Sequence, residues 1–349
     1  MRDYGTTDVL AMEDIEDPVC GPGEVLVRLT ACALNHFDLD LRSGVSRVPL
    51  DLPHVLGCEG VGYVESVSPE AADRWQKGDR VMVLEEIPCG RCVVCVEGHQ
   101  NLCEEGSWVG VSRQGTYAEL IAMPAHALIS LPDARTDVEW ASVQAAFGTA
   151  WHMLITRGGL RTGERVLINA VGSGIGSAAL QIAVHAGAEV FATAGSDEKL
   201  ERAREMGAHH VFSYKEAGWE AAALEATHGK GIDLAYDHVG GDVFVKSLGL
   251  LRPGGRVATC GAHGGETVPL DIVELFRAER TIIGSRTFTL PELETVVRLV
   301  AAGQLDPVVD SVMPLDDVRS AHDKMEQRDH FGKIVMTATP VATNGGGAT

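Results

Sequence analysis

The hydrophobic pattern of this chain changes near residue 137. Before that point, apolar and polar positions alternate, and every second residue from Val25 to Ala31 is apolar and predicted to face inward. Further strands are predicted at 57–67, 79–84 and 118–123, separated by turns that contain proline, glycine and aspartate. The first part of the chain is therefore expected to be rich in β-strands.

From residue 138 to about 287, short apolar strands alternate with segments of helical periodicity. The strands are VLINA, EVFATA, HHVFSY, DLAYDHV, GRVATCG and TIIGS, and the helices between them are predicted at 176–187, 196–206, 216–228 and 242–251. This alternation implies a parallel sheet that is covered by helices on both faces.

The C-terminal part returns to a mixed pattern. Helices are predicted at 290–302 and 315–328, and strands at 307–314 and 332–337. The last ten residues, PVATNGGGAT, have the composition of a disordered end.

A glycine cluster lies between the first strand of the alternating region and its helix. The strand is predicted at 165–170, and helical periodicity begins at Ile175. Such a turn lets the backbone approach a pyrophosphate and directs a helix N-terminus at its charge. The spacing departs from G-x-G-x-x-G, because Val171 and Ser173 occupy its first two glycine positions. The surrounding pattern still predicts a dinucleotide-binding turn made of Gly172, Ser173, Gly174, Ile175 and Gly176.

Composition and charge narrow the class of protein. The chain has 349 residues, 45% hydrophobic and 22% charged, which is typical of a globular protein of about two domains. A net charge of −20 argues against a nucleic-acid partner, because phosphate binding needs clustered Lys and Arg. No apolar run approaches the ~18 residues of a membrane span, and the N-terminal residues have no hydrophobic signal core. A cytoplasmic protein without a membrane partner is predicted.

Four of the eight cysteines lie in one polar loop, at Cys89, Cys92, Cys95 and Cys103. Four thiolates at this spacing form a closed tetrahedral zinc site, which leaves no position for a substrate and is therefore structural. The alternatives are four free thiols, an iron–sulfur cluster or disulfides, and disulfides are disfavoured without a secretory signal. One structural zinc ion is predicted.

Several segments, taken in order, resemble one superfamily. They are GPGEVLVRL, ALNHFDL, PHVLGCEGVGYVE, the cysteine loop, GTYAEL, GTAWHML and HFGKIV. With the glycine turn, they are similar to the medium-chain dehydrogenases/reductases, which include zinc alcohol dehydrogenases and quinone oxidoreductases. The resemblance implies an α/β fold in two domains. A GroES-like β-rich catalytic domain would comprise residues 1–137 and 288–349, and a Rossmann domain with a doubly wound parallel sheet would comprise residues 138–287. It also implies a homodimer or homotetramer.

The resemblance also shows where this chain departs from the zinc-dependent members. At the positions of their three catalytic zinc ligands it has Asn35, Cys58 and Ala145, and Phe37 replaces the proton-relay Ser or Thr. Only Cys58 is a good ligand, assisted at most by Glu59, so a catalytic zinc is predicted to be absent. Cys58 is interpreted as a small buried thiol.

Without a Lewis acid, the reaction that needs least help is hydride transfer to an activated C=C or a quinone. Only hydrogen bonds to the developing oxyanion are then required. Asn35 is the predicted catalytic residue because the zinc-free quinone reductases have an Asn in the matching motif. Its alternative role is to cap the turn after a strand. In relatives the residue matching His36 can lie near the cofactor phosphates, and Asp38 is expected to hold the loop.

The end of the second strand of the alternating region predicts the cofactor. NAD-binding folds usually have an acidic residue there, but this chain has Ala194 and Gly195. Ser196 and Lys199 are placed to bind a 2′-phosphate, and Asp197 is interpreted as a first-turn helix residue. NADP(H) is therefore predicted.

Further cofactor contacts are implied by the resemblance alone. They are Tyr214, Gly261, Ser285 and Lys333, and the segment 237–240 lies at a strand end beside them. Each of these residues has an alternative role in loop geometry.

Three functions remain open from the sequence. The first is an NADPH-dependent reductase of enones, 2-alkenals or quinones without catalytic zinc. The second is a carbonyl reductase or alcohol dehydrogenase that recruits zinc through Cys58 and Glu59. The third is a non-catalytic NADPH-binding sensor. In the first two, the partner is a small-molecule substrate.

Overall fold

The computed structural model describes residues 1–338, so the segment predicted to be disordered lies outside the described residues. Its strands are β1 Glu24–Ala33, β2 Glu59–Val67, β3 Arg80–Val83, β4 Glu86–Ile87, β5 Ser107–Trp108, β6 Leu120–Pro124, β7 Leu128–Ser130, β8 Arg165–Ile168, β9 Glu189–Ala194, β10 His210–Ser213, β11 Ile232–Asp237, β12 Leu251–Thr259, β13 Thr281–Gly284, β14 Val309–Pro314 and β15 Lys333–Thr337. Its helices are α1 His36–Ser43, α2 Val93–Val96, α3 Asp137–Ala141, α4 Thr149–Trp151, α5 Gly174–His185, α6 Asp197–Glu205, α7 Trp219–Ala226, α8 Gly241–Leu250, α9 Ile272–Arg277, α10 Leu290–Ala301 and α11 Val318–Glu326.

Both ends of the described chain contribute to the first sheet. Its order is β14-β15-β1-β2-β3-β7, and β6 also pairs with β1. The alternation predicted from Val25 to Ala31 is confirmed, since Val25, Val27, Leu29 and Ala31 are each at most 3% exposed. Strand β15 lies antiparallel beside β1, so residues more than 300 positions apart share one surface. This arrangement agrees with a catalytic domain built from two chain segments, while its boundaries stay predictions.

The second sheet is the predicted parallel one. Its order is β10-β9-β8-β11-β12-β13, and every pair in it is parallel. Numbered within the sheet, this is the order 3-2-1-4-5-6 of a doubly wound Rossmann fold. The strand order reverses between β8 and β11, and ligands bind at the carboxyl ends of the strands at such a point. The α/β fold class, with a GroES-like part and a Rossmann part, is confirmed.

The predicted helices are all present, with ends displaced by a few residues. The largest differences concern the helices predicted at 216–228 and 315–328, which are observed at Trp219–Ala226 and Val318–Glu326. Helix α5 begins at Gly174, before the predicted 176, because the Ser173 hydroxyl caps it by accepting a hydrogen bond from the Gly176 N–H. The helix α1 was not predicted, although the spacing of Asn35 and Asp38 is that of a helix N-terminus.

Residues 137–157 connect the two sheets. Helix α3 packs on β1 and β2, whereas α4 and the π-helical turn at Gln144–Gly148 pack on α5. The side chains of Trp140, Phe147 and Met153 are fully buried in a core that continues into both sheets. Among the described residues, none of the helices has the length and apolar character needed to cross a membrane.

Candidate active site and metal centre

The four loop cysteines converge as predicted. Cys89 and Cys95 have their Sγ atoms 4.0 Å apart, Cys92 and Cys103 have theirs 3.9 Å apart, and all four atoms lie within 4.8 Å of one another. A tetrahedral zinc with Zn–S bonds of about 2.3 Å needs sulfurs about 3.8 Å apart, so the donor set fits a closed zinc site. None of the eight cysteines is in a disulfide, which excludes that alternative.

A second polar cluster forms where three neighbouring strands of the first sheet reach the glycine turn of the second sheet. We refer to this junction, at which the Gly332 N–H donates to the Gly172 carbonyl, as the cleft. Asn35 follows the end of β1 and caps α1, Glu59 begins β2, and Lys333 begins β15. Because β15, β1 and β2 are adjacent in the sheet, these three side chains converge. We refer to Asn35, Glu59 and Lys333 as the cleft network.

The hydrogen bonds of the cleft network are short and buried. The Lys333 ammonium donates to Glu59 Oε2 at 2.7 Å, to Asn35 Oδ1 at 2.6 Å and to the Leu34 carbonyl at 2.9 Å. Glu59 also accepts from Asn35 Nδ2 at 2.9 Å and from the Ala145 N–H at 2.7 Å. The side chains of Lys333 and Glu59 are only 6% and 1% exposed. Removing either partner of an ion pair this deeply buried would leave the other charge buried without compensation and destabilise the fold.

The same contacts bear on the catalytic zinc, which is predicted to be absent. Cys58 is buried, its Sγ lies 3.4 Å from Asn35 Nδ2, and burial raises the pKa of its thiol. Both Glu59 oxygens already accept hydrogen bonds, so Cys58 alone remains as a ligand, and one ligand does not fit a zinc site. Within residues 1–338, groups of three metal-binding side chains occur at the cysteine loop and at His36, Asp40 and His263.

Two buried carboxyls support the loop around the cleft network. Asp38 accepts hydrogen bonds from the Asn35 N–H and the Tyr117 hydroxyl, both at 2.8 Å, and burial raises the pKa of its carboxyl to about 6. Glu85 was not singled out from the sequence. Burial, reinforced by the nearby charge of Glu59, raises the pKa of Glu85 well above its usual range.

The glycine turn lies at the carboxyl end of β8, as predicted. Ser173 Oγ accepts from the Gly176 N–H and lies 2.9 Å from His238 Nε2, so it joins the turn to the loop after β11. A Cβ at Gly176 would lie 2.5 Å from the Ala170 carbonyl oxygen, so only glycine fits there. The helix that follows directs its N-terminus into the cleft.

The C-terminal segment links this turn to the cleft network. The Gly332 N–H donates to the Gly172 carbonyl at 3.0 Å, and the stem of Lys333 lies against Gly174. Lys333 is predicted to bind the cofactor, but its three N–H donors are all used by Leu34, Asn35 and Glu59. The Lys333 ammonium is therefore bound by groups of the protein itself, and its aliphatic stem packs beside the glycine turn.

The end of β9 has the features predicted from the sequence. Ala194 is buried, Ser196 is exposed, and the hydroxyl of Tyr214 packs over Gly195, where a Cβ would lie 2.3 Å from it. Lys199 donates one hydrogen bond, to the Arg328 carbonyl at 2.7 Å. A carboxylate is thus missing where NAD-specific folds place one, and a lysine lies close by.

The remaining predicted cofactor residues line the same edge of the sheet. Ser285 follows β13, and its hydroxyl is buried without a hydrogen-bond partner in the described part of the chain, which suits a ligand contact. Gly261 packs against the His238 carbonyl, where a Cβ would lie 2.3 Å away. Asp237 instead serves loop geometry, because it accepts from the N–H groups of Val239 and Gly240 and from the Asn169 amide.

Comparisons with known proteins agree with this architecture. Residues 21–133 match the family model of the alcohol dehydrogenase GroES-like domain, and residues 174–302 match that of the zinc-binding dehydrogenases. Among solved structures, an NAD-dependent alcohol dehydrogenase is 39% identical with a TM-score of 0.93, over 97% of this chain and 98% of that chain.

Three curated relatives cover almost the whole chain. A zinc-type alcohol dehydrogenase-like protein of Schizosaccharomyces pombe is 32% identical over 94% of this chain and 95% of its own length. A 2-haloacrylate reductase of a Burkholderia species is 30% identical over 95% of this chain and 96% of its own length. The quinone oxidoreductase of Homo sapiens is 30% identical over 93% of this chain and 92% of its own length. Together with the fold and the two family matches, these similarities show that the chain is an oxidoreductase of the medium-chain dehydrogenase/reductase superfamily.

Proposed function

We propose that this protein reduces an activated C=C bond, as in an enone or a 2-alkenal, or a quinone, by hydride transfer from NADPH without a catalytic zinc. The observation that carries the proposal is the cleft network. Lys333, Asn35 and the Ala145 N–H saturate the Glu59 carboxylate, so Glu59 is not free to bind a metal, and one N–H of Asn35 remains for a substrate oxygen. Bound NADPH would supply the hydride, and the residues around it would position the substrate and stabilise its developing charge.

Asn35 is the proposed donor to the substrate oxygen. One of its amide N–H groups is held by Glu59 at 2.9 Å, while the other faces the Cys58 sulfur at 3.4 Å. Besides this sulfur, a weak acceptor, the same nitrogen has only the Ala33 carbonyl at 3.5 Å, so a substrate carbonyl oxygen in the direction of this N–H would be its better partner. Lys333, which donates to Asn35 Oδ1, polarises the amide and holds its orientation. The charge that develops on the oxygen thus meets an oriented donor.

The names of two relatives support this reaction class. One is a reductase named for 2-haloacrylate, whose C=C is conjugated to a carboxylate, and another is named a quinone oxidoreductase. Both substrates accept a hydride at a carbon or oxygen that is already polarised, so neither requires a Lewis acid.

Metal analysis together with a substrate panel tests the proposal. Protein dialysed against EDTA is expected to keep about one zinc per chain, and Cys58→Ser is expected to keep it too, because the closed Cys₄ site holds it. NADPH oxidation is expected with enones, 2-alkenals or quinones. A second zinc that is lost in Cys58→Ser would instead favour the carbonyl reductase or alcohol dehydrogenase. Tight NADPH binding without turnover on a broad panel would favour the sensor.

Replacing Asn35 with serine separates its two possible roles. The side chain of Asn35 bonds both Lys333 and Glu59, so Asn35→Ser should also lower the free energy of unfolding by about 1–3 kcal/mol, which leaves a folded protein to assay. Loss of an oxyanion donor is expected to lower kcat by about 10²–10³-fold. Steady-state kinetics and thermal unfolding of the same preparation measure both effects. If turnover is retained, Asn35 serves only to cap α1.

NADP(H) is the proposed cofactor, and Lys199 is its proposed 2′-phosphate contact. Lys199→Met is expected to lower kcat/KM for NADPH by about 10–100-fold, because a charge-assisted hydrogen bond is lost. The value of kcat/KM for NADH should stay nearly unchanged, since NADH has no 2′-phosphate. Lys230→Met, which removes an exposed lysine beyond α7, is the matched control. An equal loss with both nucleotides, or a wild-type preference for NADH, would contradict this assignment.

We also propose that the chain forms a homodimer or a larger homo-oligomer. Strand β13 is at the edge of the parallel sheet, and Ile282 on it is exposed. The neighbouring helix α9 exposes Ile272, Val273 and Phe276. An unpaired edge beside exposed apolar side chains suits a second copy of the same surface. The cytoplasmic location stays a prediction.

A further inference from the structure

Three metal-binding side chains meet at the cleft, away from the cysteine loop and from Cys58. His36 and Asp40 lie four residues apart on α1, so they share one face of that helix. His263 comes from the loop after β12, in the other sheet. One ligand atom from each of the three lies within 4.8 Å of the other two. His263 Nδ1 is 3.5 Å from Asp40 Oδ2, and the ring centroids of His36 and His263 are 4.0 Å apart.

The donor set has the chemistry of a divalent transition-metal site. Two imidazoles and one carboxylate suit Zn²⁺ or Co²⁺, and three protein ligands leave a fourth position for water. Ligand bonds of about 2.0–2.1 Å place neighbouring donor atoms roughly 3.4 Å apart, so movements of about 1 Å complete the geometry. The side chains of His263 and Asp40 are 36% and 27% exposed, so an ion can enter from solvent.

The two elements that carry these ligands are already held together by a second contact. Arg47, just beyond α1, forms an exposed ion pair with Glu266, which lies three residues after His263 in the same loop. Glu266 also adds negative charge near Asp40, whereas Arg328 lies near both His36 and His263, and His330 lies near His36. The positive charge of Arg328 opposes a cation, so the site should bind in the micromolar range rather than as tightly as the four cysteines.

The loop that carries His263 is connected to the glycine turn. Its Gly264 N–H donates to the Val239 carbonyl at 2.6 Å, and Gly261 packs on the His238 carbonyl. His238 in turn contacts Ser173, which caps α5. An ion that fixes the His263 loop to α1 therefore restrains both sides of the cleft beside the glycine turn.

We propose that His36, Asp40 and His263 form a reversible Zn²⁺-binding site that fastens the His263 loop to α1 and, when occupied, hinders entry of the dinucleotide. The binding of Zn²⁺ by these residues does not depend on the proposed function. The hindrance of the dinucleotide rests on the proposed function, because that hindrance assumes that the dinucleotide binds at the glycine turn.

Equilibrium binding of Co²⁺ and Zn²⁺ tests the metal site. The protein is first dialysed against EDTA and shown to retain the zinc of the cysteine loop. Wild-type protein is expected to take up one further ion per chain with micromolar affinity. His263→Asn and Asp40→Ala are expected to weaken this binding by at least about 10-fold. His185→Asn, at the exposed end of α5, should leave it unchanged. Lack of saturable uptake below about 1 mM, or equal affinity in His263→Asn, would overturn the site.

A second measurement tests the effect on the cleft. By linkage, an ion that hinders the dinucleotide must weaken NADPH binding by the same factor by which NADPH weakens ion binding. Zn²⁺ is expected to raise the Kd of NADPH at least about 5-fold in wild-type protein and not in His263→Asn. An unchanged Kd with the ion bound would overturn the hindrance and support the metal site alone. If NADPH does not bind even without the ion, the proposed cofactor fails, and the metal titration still decides the site.

Discussion

Replacing Cys103 with serine is expected to remove the zinc from the cysteine loop and to cause the largest loss of stability of any single change considered for this protein. Structural zinc sites bind with about 10–16 kcal/mol, and this energy stabilises the fold because the unfolded chain lacks the site. Cys103 closes the site, with its Sγ 3.9 Å from that of Cys92. Zinc content should fall from about one to near zero per chain, and the unfolding temperature by about 10 °C or more.

Loss of the zinc should also destabilise the segments that connect the two sheets. Asn101, two residues before Cys103, donates to the Arg286 carbonyl at 2.8 Å and lies 3.3 Å from His152 Nε2, so the loop packs against the segments that connect the two sheets. Cys20→Ser is the matched control, because Cys20 is a free thiol outside the loop. Metal analysis and calorimetry measure the effect. A variant at Cys103 that keeps both its zinc and its unfolding temperature would refute a structural zinc at this loop.

Replacing Lys333 with methionine is expected to destabilise the protein by about 3–5 kcal/mol, because it leaves the carboxylate of Glu59 buried without its counter-charge. The pair is almost fully enclosed, and the Lys333 ammonium has three protein acceptors. The midpoint of urea unfolding measures the change. Combining Lys333→Met with Glu59→Gln should recover most of the loss, since a neutral amide no longer needs the ammonium.

The exposed pair of Lys77 and Glu65 provides the control for that experiment. Lys77 is 71% exposed, so Lys77→Met should change the free energy of unfolding by less than about 1 kcal/mol. Equal effects of Lys333→Met and Lys77→Met on the free energy of unfolding would show that another group compensates the charge of Glu59. The cleft network would then not be the rigid support that the proposed role of Asn35 requires.

Local patterns predicted much of the fold. The alternation after Glu24 predicted the buried face of β1, and six apolar strands alternating with four helices predicted the parallel sheet, because side-chain periodicity depends only on neighbouring residues. The cysteine spacing predicted the zinc loop for the same reason, since its ligands lie within 15 consecutive positions, Cys89 to Cys103. The helix α1, His36–Ser43, was missed because its apolar residues Phe37, Leu39 and Leu41 alternate with polar ones, as they would in a strand.

The candidate site was predicted less completely. Asn35, Ser196 and Lys199 were singled out because they belong to recognisable segments, and their roles stay predictions. Asn35 joins the cleft network, Lys199 lies against Gly172, and Ser196 is exposed just after β9. Glu85 was missed, because its burial and the nearby charge of Glu59 are properties of the packed structure. The predicted cofactor contact of Lys333 was drawn from its segment alone, which could not reveal that Asn35 and Glu59 would take up its donors.

The sequence by itself determined the two kinds of sheet, the glycine turn, the cysteine loop and the missing zinc ligands, because each depends on residues that are close along the chain. Only the tertiary structure decided that Lys333 meets Asn35 and Glu59, which precede it by 298 and 274 positions. It also decided that His263 meets His36 and Asp40 across the cleft. Strand β15 pairs beside β1, and the loop after β12 closes over α1, so these contacts arise from strand pairing and packing between distant segments, which no local spacing records.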